Sequence, residues 1–391
     1  MMSISSRREL VMSVTPRYWA AQGIHKRQIL DEFVAITGYH RKYAIHVLRH
    51  PPSPRQKQRR HRKRIYGLAV QAALVQLWRI ANCICGKRLI PYLPELINML
   101  ERHHELELEP GVKALLVRMS AATADRVLRP HRVQRRRGVG TTKPGSLLKK
   151  SIPIRTFADW DDARPGFSEV DLVAHCGDTT RGQYLYSLVL TDVDTGWTDC
   201  EAVLNRGERQ VCQAIAAVRK RLPFPLLGID SDNGFEFINA ILLRYCRDQH
   251  ITFTRGREYK KNDQAHVEQK NGTVVRQIVG HDRYEGAKAF GKLSDLYAVL
   301  RLYINFCQPQ MKLIGKKRVG SKVTKQYDLA KTPYQRVQQS HDVANQAKAG
   351  LAAVYPSINP AALLRQLETL QNDFWSQARV RFSNEATTCT E

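Results

Sequence analysis

The stretch Leu226-Leu227-Gly228-Ile229-Asp230-Ser231-Asp232-Asn233-Gly234-Phe235-Glu236-Phe237 decides how the rest of the chain is read. Leu226 to Asp230 is a short apolar run followed by turn-forming residues, the pattern of a buried strand. Asn233-Gly234 permits a sharp exit, since Gly tolerates positive φ, and this leaves Asp232 at a strand's carboxyl end facing solvent. Asp230 competes with it for any role there, because residues two apart in a strand face the same side. Glu236 reads as the first residue of a helix over 236–249, where the helix dipole favours an acid.

Upstream of this stretch, Phe167 to Cys176 and Tyr184 to Val193 read as strands. Asp194-Thr195-Gly196 is a turn into a third strand, Trp197 to Leu204. Glu208 to Arg221 has helical periodicity through Val211, Ile215 and Val218. Downstream, Ile251 to Thr254 is a short strand, and the charged segment Arg255 to Asn262 is a loop before another helix. The order is three strands, helix, strand, helix, strand, helix.

Two more acids stand out on this frame. Asp171 lies in the first strand, within Glu169-Val170-Asp171-Leu172-Val173-Ala174-His175. Glu268 lies 36 positions after Asp232, in Asn262-Asp263-Gln264-Ala265-His266-Val267-Glu268-Gln269-Lys270-Asn271. Three carboxylates on separate elements are the ligand type that hard divalent cations prefer. His266 sits about 200° around the helix from Glu268 and faces away. His175, Cys176 and Asp178 gain no support as a Cys-His nucleophile.

The chain has 391 residues, enough for two or three folded units, with 43% hydrophobic and 25% charged residues. No run of about 18 apolar residues is present and Met1 to Glu9 lacks a signal-peptide core, so a cytoplasmic protein that does not enter membranes is expected. The eight cysteines form no disulfide framework. Cys83, Cys85, His103 and His104 have the wrong spacing for zinc.

Charge is distributed unevenly. Residues 1–150 hold 30 Lys and Arg against 9 Asp and Glu, so +21 of the net +26 lies there and +5 on the other 241 residues. Such asymmetry suits a polyanion. Within it, Lys26 to Ile36 reads as a helix stopped by Thr37-Gly38, followed by a basic helix whose Ala44, Val47 and Leu48 share a face apart from Arg41, Lys42, His46 and Arg49. Helix, glycine turn, basic helix is a helix-turn-helix outline. It recurs: Tyr92, Leu93, Leu96, Ile97 and Leu100 form a second stripe, Val112 to Met119 a third, and Ser120 caps a helix bearing Ala124, Arg126, Val127, Leu128 and Arg129. A basic run follows each module: Arg55, Lys57, Arg59, Arg60, Arg62, Lys63 and Arg64, then Arg132, Arg135, Arg136 and Arg137. These suit a phosphate backbone or minor groove, with affinity but little base specificity.

With these motifs in hand, the chain resembles a bacterial insertion-sequence transposase of the DDE superfamily, whose catalytic core is retroviral-integrase-like and RNase H-like. The specific match runs from about Phe167 to Gly286, with weaker similarity over the N-terminal modules and Lys331-Thr332-Pro333-Tyr334-Gln335-Arg336. The resemblance implies that Asp171, Asp232 and Glu268 are the catalytic, metal-holding triad for two Mg²⁺ ions, with Mn²⁺ as a substitute. It implies cleavage to a 3′ hydroxyl at a transposon end and strand transfer into target DNA. Double-stranded DNA, as terminal inverted repeats and target, is then the partner, and synapsis of two ends implies at least a homodimer. Lys260, Lys261 and Lys270 would contact the DNA end. The His-His-Cys-Cys zinc module of retroviral integrases is missing.

The expected layout is multidomain. It comprises all-α helix-turn-helix modules at 1–54 and 66–137, a basic linker at 55–65 and a second linker at 138–164. An α/β RNase H-like core with a mixed five-stranded sheet follows at 165–310, then a small C-terminal domain at 311–391 with a basic β element and a helix. In that last helix Leu363, Leu367, Leu370 and Phe374 form a packed stripe. The competing readings are a stand-alone nuclease of the same fold and a transposase-derived DNA-binding regulator.

Overall fold

The computed structural model describes residues 2–51, 65–132, 164–256 and 265–378, which divide into two compact units, 1–65 and 66–391. Of the residues singled out above, Arg55, Lys57, Arg59, Arg60, Arg62, Lys63, Arg64, Arg135, Arg136, Arg137, Lys260 and Lys261 lie outside the described residues.

The first unit consists of three helices, α1 (Ile4–Ala20), α2 (Gly23–Thr37) and α3 (Arg41–Arg49). Val11, Tyr18, Leu30, Phe33, Ala44 and Leu48 form its core. Gly38 ends α2 at φ 69°, the left-handed conformation that a C-cap glycine adopts without a Cβ penalty. The α3 stripe was legible because Ala44 and Leu48 are four apart, so burying them turns Lys42, His46 and Arg49 to solvent.

The second unit begins with helices α4 (Leu68–Ile80), α5 (Gly86–Arg102), α6 (Pro110–Val117) and α7 (Ala121–Leu128). Ser120 caps α7 by accepting from the Thr123 amide, as its position suggested. Asp125 reaches back to accept from the Gly86 amide at 2.9 Å, which places a carboxylate at the start of α5. These helices are fastened to the rest of the unit. Tyr303 donates to the Ile80 carbonyl, Gln308 to the Ala81 carbonyl and Arg88 to the Pro309 carbonyl.

The centre of this unit is a mixed five-stranded sheet of β1 (Phe167–Ala174), β2 (Tyr186–Asp192), β3 (Thr198–Val203), β4 (Gly228–Ser231) and β5 (Thr252–Arg255), in the order 3-2-1-4-5. β1 to β3 are antiparallel neighbours; β4 joins β1, and β5 joins β4, in parallel. Helix α8 (Glu208–Arg219) links β3 to β4 and α9 (Ala240–Asp248) links β4 to β5. The strand and helix order is the one read from the sequence. The β2–β3 turn is fixed by buried Asp192, which accepts from the Gly166 and Thr195 amides and from the Thr195 hydroxyl.

Each face of the sheet has its own apolar layer. Val170, Leu188, Leu190 and Ile229 pack with α8 and α9, whereas Val173, Val189 and Cys200 pack beneath α10 (Ala265–Lys270) and α11 (Gly286–Cys307). A π-helical turn, Asn271–Arg276, continues α10. Beyond α11 lie a hairpin of β6 (Leu313–Val319) and β7 (Lys322–Tyr327), then α12 (Pro333–Gln339), α13 (Asn345–Val354) and α14 (Pro360–Trp375). Leu367 and Phe374 of α14 are buried against α11, so this stripe packs inside the unit rather than in a separate body. No helix among the described residues is long and apolar enough to cross a membrane.

Candidate active site

Two layers of carboxyl groups stand on one face of the sheet, where β1 and β4 run side by side. In the deeper layer, Glu169 and Asp230 are register partners and both are fully buried. Asp230 accepts from the Thr254 hydroxyl at 2.6 Å. Glu169 is pushed up to about 8, first by burial, then by the charges of Asp230 and Glu268. In the upper layer, Asp171 follows Glu169 by two and Asp232 follows Asp230 by two. The paired register ends at Val170↔Ser231, so Asp171, midway along β1, and Asp232, one residue past β4, come next on these two parallel strands. Asp171 is raised to about 7 by burial and by the neighbouring charge of Asp232. Asp232 is also raised by burial, while the Gly234 amide, donating at 2.8 Å, opposes that shift.

Helix α10 and its π-helical extension run alongside β1 and are tied to it at three levels. The Val267 amide donates to Glu169 at 2.8 Å, the Asn271 amide group to Asp171 at 2.6 Å, and Arg276 to the Ala174 carbonyl at 2.9 Å. Glu268 is exposed and lies three positions before Asn271, so the two share a helix face. Its charge bears on Glu169. Asp171 and Asp232 are thus brought together, and Glu268 is held over the same sheet face. Among the described residues, however, no three His, Cys, Asp or Glu are gathered closely enough to hold a metal ion.

Two expectations are corrected here. Glu236 does not begin a helix: α9 starts at Ala240, capped by Asn239, whose side chain accepts from the Leu242 amide. Burial of Phe237 and Ile238 draws the preceding turn inward, leaving Glu236 buried within electrostatic reach of Asp232 and Arg206. Lys270 is no surface contact for DNA. It lies about 200° around the helix from Glu268, is only 8% exposed, and packs near Arg88 and Cys200, where burial lowers it to about 7. His266, four residues before Lys270 on the same face, is lowered to about 4 by burial and the nearby Lys312 and Lys270 charges.

The other named residues are placed as follows. His175 is buried, bonds Ser187 at 2.6 Å and is lowered to about 3 by burial, which fits a neutral core residue. Lys42, His46 and Arg49 are exposed on α3, and Arg41 there pairs with Asp31. Arg126 and Arg129 are exposed at the end of α7, and Arg132 pairs with Asp125. Sequence reasoning missed Glu169 as a buried group and Glu236 as a member of the carboxyl cluster. The same-face rule that paired Asp230 with Asp232 would have paired Glu169 with Asp171.

Two adjacent carboxylates with raised proton affinity suit a hard divalent cation, and Glu236 Oε2 is buried without a hydrogen-bond partner beside them. This donor set fits Mg²⁺ better than a soft metal.

Comparison with curated proteins gives a relative of unassigned role, "Uncharacterized protein y4rM" of Sinorhizobium fredii (strain NBRC 101917 / NGR234). It is 46% identical over 330 residues, which span 83% of this chain and 93% of that protein. The chain belongs to the family of this protein. No family model matches the sequence. Among solved structures, the catalytic core domain of BIV integrase is 17% identical at a TM-score of 0.29, covering 44% of this chain and 91% of its own. The HTLV-2 integrase catalytic core domain, solved in complex with magnesium in a dimeric form, is 16% identical at a TM-score of 0.28. It covers 37% of this chain and 90% of its own.

Proposed function

We propose that the protein is a DDE transposase that binds transposon end sequences, cleaves the end to a 3′ hydroxyl and transfers that strand into target DNA. One observation carries the reading. Asp171, within β1, and Asp232, one residue past the parallel strand β4, lie within electrostatic reach of each other, under a helix that carries Glu268 and is fastened to β1.

In this reading Asp171, Asp232 and Glu268 hold divalent cations, with Mg²⁺ the natural choice and Mn²⁺ a substitute. When bound, the cations make the attacking oxygen nucleophilic at neutral pH and stabilise charge on the leaving oxygen. In the first step water attacks the phosphorus at the transposon end; its P–O3′ bond breaks, and the released 3′ oxygen takes up a proton. In the second, that 3′ hydroxyl attacks a target phosphodiester, loses its proton, and joins the target strand while a target 3′ oxygen leaves. Neither step needs a covalent protein intermediate. Asn271 holds the Asp171 carboxylate in a fixed orientation through the 2.6 Å bond. Glu169 holds the start of α10, and so the backbone that carries Glu268.

End recognition falls to the exposed basic residues of α3, Lys42, His46 and Arg49, and to Arg126 and Arg129 after α7. Because two ends must meet, the active complex contains at least two copies. The test is a strand-transfer assay with labelled end oligonucleotide, plasmid target and Mg²⁺, comparing the protein with Asp171→Asn, Asp232→Asn and Glu268→Gln. Joined product from the unaltered protein alone supports the reading. End binding with neither cleavage nor joining favours a DNA-binding regulator, and cleavage without joining favours a nuclease.

A further inference from the structure

The hairpin β6–β7 does not behave as part of a fold. Its strands pair from Leu313↔Tyr327 to Val319↔Lys322 around a two-residue tip at Gly320-Ser321, with Gly320 at φ 60°. Among the described residues no third strand joins it, and both strands are exposed along nearly their whole length. A two-stranded ribbon in water is marginal at best on its own. Its charge is of one sign: between 311 and 327 there are basic residues and no Asp or Glu. Lys316 stands directly opposite Lys325, which sets two like charges side by side on the ribbon. Strand alternation puts Lys316, Arg318 and Lys325 on one face and Lys317 and Lys322 on the other. Packing against a single apolar surface would bury one of those charged sets.

The root of the ribbon, by contrast, is firmly built. Asp328 accepts from the Lys312 amide at 2.6 Å and from Arg336 at 2.7 Å. Gln310 and Lys331 exchange backbone hydrogen bonds at 2.8 and 3.0 Å, and Lys312 pairs with Asp194 on the β2–β3 turn. The charge of Lys312 is felt at His266, two residues before Glu268. A fixed stem beside α10 thus carries a basic ribbon into solvent.

We propose that this ribbon inserts into the major groove of double-stranded DNA held at the acidic site, an inference that rests on the DNA-processing reading above. A ribbon with cations on both faces fits a cleft walled on both sides by phosphates, and the major groove, about 12 Å wide, admits a two-stranded ribbon. Seven residues give it a reach of roughly 20 Å. Val319 and Val323, both exposed near the tip, would meet base edges and thymine methyls.

The experiment uses the full chain and a 30-base-pair duplex, comparing the protein with a variant carrying K316Q, K317Q, R318Q, K322Q and K325Q. A second variant replaces residues 314–326 with Gly-Ser-Gly and leaves the root intact. Affinity is measured across salt concentrations, and dimethyl sulfate reports guanine N7 in the major groove. Each lost phosphate contact lowers the log–log salt slope by about 0.9, so both variants are expected to lose about 2 to 4 in slope and tenfold or more in affinity. N7 protection seen with the unaltered protein should vanish. An unchanged slope in variants with an unaltered thermal midpoint overturns the proposal. A changed slope without N7 protection overturns the major-groove placement. An unchanged slope with loss of self-association assigns the ribbon to a second copy instead. If the unaltered protein binds no duplex at all, the DNA reading itself has failed.

Discussion

The backbone amide of Val267 donates a hydrogen bond to the Glu169 carboxylate at 2.8 Å, across 98 positions of sequence. This contact joins the deep carboxyl layer of the sheet to the helix that carries Glu268. With the Asn271–Asp171 bond one turn later, it fixes where Glu268 stands relative to Asp171. Glu169→Leu removes the acceptor at nearly constant volume, whereas Glu169→Gln keeps an oxygen in place. Leu leaves the buried Val267 amide without this acceptor, at about 1 to 3 kcal/mol, so the Leu variant is expected to lose roughly 10- to 100-fold in strand transfer with end-DNA affinity unchanged. Hydrogen exchange at Val267 in metal-free protein should rise by a similar factor. The Gln variant should stay near wild type in both measurements; a Leu variant that kept its exchange protection would dissolve the link.

The raised carboxyl groups set a pH dependence. Glu169 at about 8, Asp171 at about 7 and Asp192 at about 6 all lie above the ordinary carboxylate range because burial disfavours their charged forms. The folded protein therefore keeps protons that the unfolded chain has released. These three groups thus contribute stability that is lost as pH rises from about 4 towards 8. Asp171→Asn removes one such group, so its urea midpoint should exceed that of the metal-free parent at pH 8 and match it at pH 4. Buried His175 and His266, lowered to about 3 and 4, contribute the opposite slope up to the ordinary histidine range, and Lys270, lowered to about 7, does so above that pH, but all three are common to both proteins and cancel in the difference. Added Mg²⁺ should raise the parent's midpoint at pH 8 more than the variant's. Equal midpoints at pH 8 would show that Asp171 is not strained by charge.

Much of the sheet was legible because its strands are apolar runs broken by turn residues, as in Ile229 before Asn233-Gly234 and Val189 before Asp194-Thr195-Gly196. The same local logic failed where tertiary contacts override it. Glu236 has helix-start character, yet Asn239 is the stronger cap, and burial of Phe237 and Ile238 pulls Glu236 into the site. Glu169 alternates like a solvent-facing strand residue, and only the packing of α10 makes it a buried one. Lys270 sits in a charged segment, but its place on the helix turns it inward. A charge brought inside by a distant element leaves no mark on its own neighbours in sequence.

Asn305 of α11 offers a test of how the sheet is held. Its side chain is fully buried, accepts from the Thr198 amide at 2.9 Å and donates to the Thr198 carbonyl at 2.8 Å. Asn305→Leu keeps the volume but leaves both backbone groups buried and unpaired, at about 1 to 3 kcal/mol each. Denaturant unfolding should show a loss of roughly 2 to 4 kcal/mol. A loss well below 1 kcal/mol would mean that the edge strand β3 draws its order from elsewhere.

The three-helix unit gives the last prediction. On α3, Lys42 and Arg49 are exposed, whereas Arg41 is already engaged by Asp31. A cation with a carboxylate partner gains less on meeting a phosphate, because it must give up that partner first. Lys42→Ala and Arg49→Ala should therefore each lower the salt slope of end-DNA binding by about 0.9, and Arg41→Ala by less. Asp31→Ala frees Arg41 and should raise the affinity at low salt. If one of these side chains reads a base edge, its loss will also shrink the preference for end sequence over random duplex, at about 1 to 3 kcal/mol per bidentate contact. Loss of affinity with unchanged preference would confine α3 to the backbone and leave end recognition to Arg126 and Arg129 beside α7.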